Sequence, residues 1–143
     1  MKKVFDNQRI VVPFDFSNES IAAAKLAVNL AEQINDVHVA HVLLEFPSTD
    51  PVAGWSELDD ARRKEHAREN MRQQLADNDI EGVHLNVTIG RPARVIADLA
   101  EEIQAGLIVV PSNKDGGYRR WFLGSVAERI VQLAKCPVLV LKV

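Results

Sequence analysis

The chain has 143 residues, of which 47% are hydrophobic, with one cysteine and a formal net charge of −3. This length predicts a single domain spanning 1–143, able to bury roughly 70% of its unfolded surface. One cysteine excludes a disulfide framework, and we expect Cys136 to pack in the core. The mildly acidic charge argues against a nucleic-acid or membrane-surface partner, and no apolar run approaches the ~20 residues of a membrane span. We therefore expect a cytoplasmic protein.

Five short apolar runs rich in β-branched residues alternate with longer helical patterns. Strict alternation of strand and helix predicts parallel strands joined by right-handed crossovers. The expected architecture is an open, doubly wound α/β sheet with helices on both faces. The predicted strands are Arg9–Phe14, Val37–Leu44, Val83–Ile89, Leu107–Pro111 and Pro137–Lys142.

Four helices are predicted between and after these strands. Ser17 can cap the first, which we expect over 18–33. The second, over 55–77, is heavily charged and should be mostly solvated. The third begins with Pro92 in its first turn and should end at Gly106, and the fourth begins at Ser125.

A doubly wound sheet places its ligand crevice at the carboxyl ends of the strands where the winding reverses. The expected strand order, 3-2-1-4-5, puts this point between the first and fourth strands. The segment "PFDFS" follows the first strand, and "PSNKDGGYRRWFLGS" (111–125) follows the fourth. The sequence therefore predicts a small-molecule crevice lined by Pro13, Asp15 and the 111–125 loop.

Several segments resemble one known family. "VVPFDFSNES", the "GRP" of 90–92, "LIVVPSNKDGGYRRWFLGSVAERI" and the terminal "CPVLVLKV" are together similar to universal stress proteins. The resemblance covers essentially the whole chain. It implies a flavodoxin-like or Rossmann-like sheet, a stress-response role and a homodimer.

The resemblance also implies a nucleotide site in one branch of that family. There, ATP is held by a loop of the form G-x-x-G-x9-G-S/T, an aspartate after the first strand and a hydrophobic residue late in the second. The matching positions in this chain are Pro13, Asp15, Val42, and the closing Gly124 and Ser125 with the adjoining Val126.

The two leading glycines of that loop are replaced here by Pro111 and Lys114. Proline has no N–H to donate and a fixed φ, so it cannot imitate glycine. The lysine side chain can either block the phosphates or bind them through its ammonium group. These substitutions predict weak or no ATP binding and no required cofactor, whereas a retained site would bind ATP or AMP.

Asp15 and Ser125 have side chains that suit a nucleotide site, but a purely structural role would also explain each of them. A carboxylate at Asp15 is favourable before a helix N-terminus, and "SVAE" fits a capping box with Ser125 as the cap and Glu128 reaching back. His38 and His41 lie three apart on a strand and so point to opposite faces, which excludes a metal shared between them. With no catalytic motif recognised, the sequence predicts a regulatory or interaction protein, not an enzyme.

We also expect the C-terminal strand, as an open sheet edge, to mediate the homodimer.

Overall fold

The computed structural model describes residues 8–45, 57–112 and 123–142, with only the backbone at 57 and 58. Lys114 lies outside this part of the chain, so the prediction for it stays a prediction. The strands are β1 (Ile10–Pro13), β2 (Val37–Leu43), β3 (His84–Ile89), β4 (Leu107–Pro111) and β5 (Val138–Leu141). The helices are α1 (Asn18–Leu30), α2 (Glu57–Asp77), α3 (Pro92–Glu102) and α4 (Ser125–Leu133).

All five strands are parallel, and their order in the sheet is β3-β2-β1-β4-β5. The predicted architecture is confirmed. β1 pairs with both β2 and β4, so the winding reverses between β1 and β4. Pro13 ends β1, where the missing N–H costs little, and the next residue resumes the ladder because the N–H of Phe14 donates to the carbonyl of Ala40 at 2.8 Å.

Side-chain alternation along the strands divides the core into two layers. One layer packs α1 and α2 on the sheet through small side chains of α1 and the fully buried Met71 and Leu75 of α2. The other packs α3 and α4 on the opposite face, chiefly through Ile96 and Ile130. Cys136 is half-buried against this second layer, and burial raises the pKa of its thiol. No helix in the described part of the chain combines the length and apolar character needed to cross a membrane.

Two helices end earlier than predicted. α1 stops at Leu30 because Ala31 turns to an extended conformation, and a 3-10 turn over Ile34–Asp36 then leads into β2. α3 stops at Glu102, and Gln104 adopts a left-handed φ of 55°. The turn is closed by the N–H of Ala105, which donates to the carbonyl of Ala100 at 2.8 Å. Helix-ending geometry of this kind normally selects glycine, and the sequence gives no such signal here.

The capping box predicted at α4 is wrong. Gly124 occupies the N-cap position, and no side chain caps the helix. The N–H of Gly124 donates to the carbonyl of Ser112 at 2.6 Å, and its carbonyl accepts from Glu128 N at 2.9 Å. These backbone bonds place Ser125 one position inside the helix, where its hydroxyl no longer serves as the cap. At α1 the predicted cap is confirmed, since Ser17 Oγ accepts from Ser20 N at 3.1 Å.

Candidate functional site

A crevice of about 270 Å³ opens at the carboxyl ends of the strands, at the point where the winding reverses. β1, β2 and β4 supply its floor, and the first turns of α3 and α4 supply its walls. Its surface is mainly apolar, with Asp15, His41 and Ser125 as the polar side chains. The lining residues are Pro13, Phe14, Asp15, Ala40, His41, Val42, Pro92, Ile96, Val110, Pro111, Gly124, Ser125, Val126 and Ala127.

The described residues predicted from the sequence come together here. Pro13 and Asp15 arrive from β1, Val42 from β2, and Ser125 and Val126 from α4 after Gly124. They share one edge because every strand of a parallel sheet ends on the same side. An apolar cleft with a few polar groups is the ordinary form of a small-molecule site.

Asp15 forms hydrogen bonds to the start of α1. Its Oδ1 accepts from the backbone N–H of Ser17 at 3.0 Å and also from the Ser17 hydroxyl. Burial opposes ionisation of this carboxyl, but hydrogen bonds from Ser17 and Ser20 outweigh it and hold the pKa of Asp15 below its usual value. Asp15 is therefore a stable anion at neutral pH, suited to accepting hydrogen bonds and poorly suited to acting as a general base.

His41 is a crevice residue that the sequence did not assign to the site. Its Nδ1 lies 2.7 Å from the carbonyl oxygen of Phe14. A carbonyl oxygen only accepts, so Nδ1 must carry the proton, and Nε2 of the neutral ring is then an acceptor. The ring also meets Phe16 edge-on, with centroids 4.9 Å apart, and Phe16 itself has a left-handed φ of 66°. The signal that could have found His41 is its position next to Val42, at the carboxyl end of the second strand.

Pro111 forms part of the crevice where the resemblance places the first glycine of the phosphate loop. It is the last residue of β4, it is buried, and it pairs with Leu141 of β5. Its ring fills space that a glycine would leave open, and it offers the crevice no backbone N–H. The next residue, Ser112, is 1% exposed and donates its own N–H to Leu141 at 2.9 Å.

The two strand histidines lie in different surroundings. His38 stacks on His84 of the neighbouring strand, with ring centroids 4.4 Å apart, while His41 belongs to the crevice. Burial, reinforced by the nearby charges of His84 and Arg9, lowers the pKa of His38 to about 4. Among the residues that the structure describes, no group of three or more His, Cys, Asp and Glu side chains is arranged to hold a metal ion.

Comparison with known proteins now identifies the family. The model of the universal stress protein family matches residues 6–142. The chain belongs to the universal stress protein family. A universal stress protein of Methanocaldococcus jannaschii is 36% identical over 139 residues, which covers 94% of this chain and 82% of that protein. Universal stress protein E of Escherichia coli is 34% identical over 133 residues, covering 82% of this chain, and the match spans 39% of that longer protein.

Solved structures agree on the fold. The structure of universal stress protein UspA from Lactobacillus plantarum superimposes with a TM-score of 0.71 at 26% identity, covering 94% of this chain and 97% of that one. A universal stress protein solved in complex with cAMP superimposes with a TM-score of 0.63 at 19% identity, over 94% of this chain and 96% of that one. At that identity the second likeness supports the fold alone.

Proposed function

We propose that this universal stress protein is a homodimeric stress-response regulatory protein that acts through protein partners and binds ATP weakly or not at all. The observation that carries this proposal is Pro111 in the crevice. A residue without an N–H occupies the place where phosphate-binding relatives would use glycine, and the β4–β5 pairing holds it there. The phosphates of ATP would lose a backbone donor and meet a filled surface.

Calorimetry with ATP and AMP tests this proposal. We expect little or no heat from the unmodified chain, and binding gained when Pro111 and Lys114 are both replaced by glycine. One recovered hydrogen bond to a charged group is worth roughly 1.5–3 kcal/mol, or more than tenfold in affinity. Pro137→Gly is the matched control, because Pro137 is exposed and lies outside the crevice lining. Micromolar ATP binding by the unmodified protein would overturn the proposal.

The single substitution Lys114→Gly separates the two roles open to that lysine. If its side chain blocks the phosphates, its removal tightens ATP binding. If its ammonium group replaces the lost backbone donors, removal weakens binding.

A second candidate function is a nucleotide-responsive module that binds ATP or AMP. It is favoured by the convergence of Pro13, Asp15, Val42 and Ser125 on one apolar crevice, where a base and a ribose can be accommodated. Release of adenine nucleotide when purified protein is precipitated with acid would support it, and absence of released nucleotide favours the first candidate.

The homodimer in this proposal uses the outer edge of β5. Within the described residues β5 pairs only with β4, and Leu139 on β5 is 38% exposed. A twofold partner strand would satisfy that edge. Sedimentation should give a dimer at micromolar concentration that Leu139→Asp dissociates, whereas the control Leu44→Asp, at a 66% exposed leucine, leaves it intact. A monomer, or a dimer indifferent to Leu139→Asp, would contradict this interface.

The same proposal includes no catalysis, no required cofactor and a cytoplasmic location in a single domain. The lowered pKa of Asp15 supports the absence of catalysis, because it leaves this crevice carboxylate a weak base. The free thiol of Cys136 is compatible with a reducing compartment. Incubation of the protein with ATP, followed by chromatography of the nucleotides, should show no ADP or AMP formed.

A further inference from the structure

A pair of stacked histidines lies near the amino ends of β2 and β3, at the end of the sheet opposite the crevice. His38 of β2 and His84 of β3 are partners in the strand register, and their ring planes are 13° apart. Both side chains project from the face of the sheet that packs on α3 and α4, because Ala40, two residues after His38, packs in that layer. His84 is exposed and is the first residue of β3, whereas His38 is half-buried. We call these two side chains the histidine pair.

The surroundings of His38 suit a neutral ring and not a charged one. Its Nδ1 is buried and has no hydrogen-bond partner within the described part of the chain. An imidazolium ring carries a proton on both nitrogens, so protonation would leave a buried, charged donor without an acceptor. Burial, followed by the charges of His84 and Arg9, accordingly lowers the pKa of His38 to about 4.

The charged and titratable groups that act on His38 come from three different segments. Arg9, in the segment before β1, is anchored by its bond to the carbonyl of Ile103 at 3.0 Å. Asp36 of the 3-10 turn acts with the opposite sign, and its carboxylate already accepts from a backbone N–H at the start of that turn at 3.3 Å. His84 is the third group, and within the described residues no charged side chain of α3 acts on His38. Because Arg9 and Asp36 are both engaged elsewhere, a charged His38 is accommodated most readily by separating it from His84.

The two strands differ in how easily they can move apart. β2 lies between β1 and β3, and Val37 and Val39, the neighbours of His38, are fully buried. β3 pairs only with β2 among the described strands, so the start of β3 is free to leave without disturbing another strand. Its far end is held, since the N–H of Gly90 donates to the carbonyl of Leu43 at 2.9 Å. Separation therefore begins at the start of β3.

We propose that the histidine pair is an acid-sensitive contact: when His38 takes up a proton, the start of β3 separates from β2 while the rest of the sheet stays paired. Water then reaches both N–H groups of the ring and satisfies them. The residues on either side of His84 line a depression of about 190 Å³ together with the buried Leu75 and Ile80. Separation therefore exposes apolar surface between α2 and β3 at low pH. This proposal is independent of what the crevice binds.

Amide hydrogen exchange on the full chain, followed residue by residue by NMR, tests the proposal. Rates corrected for intrinsic exchange give an opening constant for each protected amide. From pH 7 to pH 5 this constant should rise on the order of tenfold for 84–86, because an open, hydrated His38 returns to its ordinary pKa. At pH 5 it should exceed that of Ile108 by at least about tenfold and depend little on urea, since a local opening exposes little surface. Ile108 reports on the central sheet, because its N–H donates to the carbonyl of Pro137 at 3.0 Å.

Two variants separate the histidine from the general effect of acid. His38→Gln removes the titrating ring, so the rise in opening at 84–86 between pH 7 and pH 5 should disappear. His66→Gln, on the exposed surface of α2, is the matched control and should keep the rise. An undiminished rise in His38→Gln would overturn the proposal.

The parent protein alone provides a second decisive result. Equal opening constants and equal urea dependence for 84–86 and Ile108 at pH 5 would mean that β3 opens only when the whole fold does. That outcome would also overturn the proposal, whether or not the His38→Gln variant folds.

Discussion

Acidification should destabilise the protein through His38. This residue is half-buried and stacks on His84. Burial and the charges of His84 and Arg9 lower its pKa from the usual 6.5 to about 4, and Asp36 acts weakly in the opposite direction. Above pH 6.5 the ring is neutral in both the folded and unfolded chain. Between pH 6.5 and 4 only the unfolded chain binds the proton, so the free energy of unfolding falls as the pH is lowered through that window.

The size of the effect follows from the two pKa values. A fully enclosed ring would cost at most ~3.4 kcal/mol, and partial exposure of His38 reduces the expected loss to about 1–2 kcal/mol. Carboxylates also titrate below pH 5 and add to the pH dependence of stability. The contribution of His38 is therefore measured as the difference between the parent and a variant without this histidine. Urea unfolding of the parent and of His38→Gln is measured at pH 7, 6, 5 and 4.5. Between pH 7 and 4.5 the free energy of unfolding should fall by about 1 kcal/mol more in the parent than in His38→Gln. The control His66→Gln, on exposed α2 surface, should follow the parent.

Two outcomes would refute this reasoning. One is a pH dependence in His38→Gln equal to that of the parent. The other is an NMR titration of the His38 ring with a midpoint near 6.5, which would mean that burial and stacking on His84 do not disfavour the charged form.

Three further substitutions test the packing by urea unfolding at pH 7. Ser17→Ala removes a confirmed cap and should cost ~1 kcal/mol, whereas Ser125→Ala, which caps nothing by its side chain, should cost little; equal losses would contradict the cap assignments. Met71→Ala leaves a cavity at a fully buried site and should lower the free energy of unfolding by about 2–5 kcal/mol. The control Leu44→Ala, at an exposed leucine, should lower it by less than ~0.5 kcal/mol. Gly90→Ala forces a side chain into φ +158° and should cost roughly 1–3 kcal/mol, and an unchanged midpoint would show that the loop relaxes without strain.

The fold was predictable because its signals are local and repeated. Each strand run is bounded by turn residues, and the predicted strands differ from the observed ones by at most one residue at either end. The alternation of strands and helices along the chain predicted the parallel sheet. The strand order of that sheet then predicted the position of the crevice. Pro13, Asp15 and Ser125 could be assigned to it without coordinates for the same reason.

The details that the sequence missed depend on contacts between distant segments. The bond from His41 to the carbonyl of Phe14 joins residues 27 positions apart, and no periodic pattern encodes it. The start of α4 depends on the bond from Gly124 to Ser112, which outweighed a good capping sequence. The left-handed conformation of Gln104 accompanies the bond from the N–H of Ala105 to the carbonyl of Ala100, and a glutamine in the sequence gives no signal for it.

The parallel topology also brings the starts of the helices together. Right-handed crossovers start every helix at the carboxyl edge of the sheet, so that edge collects the positive ends of the helices. At α1 the Ser17 hydroxyl accepts from the N–H of Ser20, and Asp15, which lines the crevice, accepts from the N–H of Ser17. At α3 and α4 no side chain caps the helix; the first turn of α3 has no acidic residue, whereas Glu128 lies in the first turn of α4. The fold thus supplies a positive potential at every helix start, and the residues of each first turn decide how far that potential is neutralised within the chain.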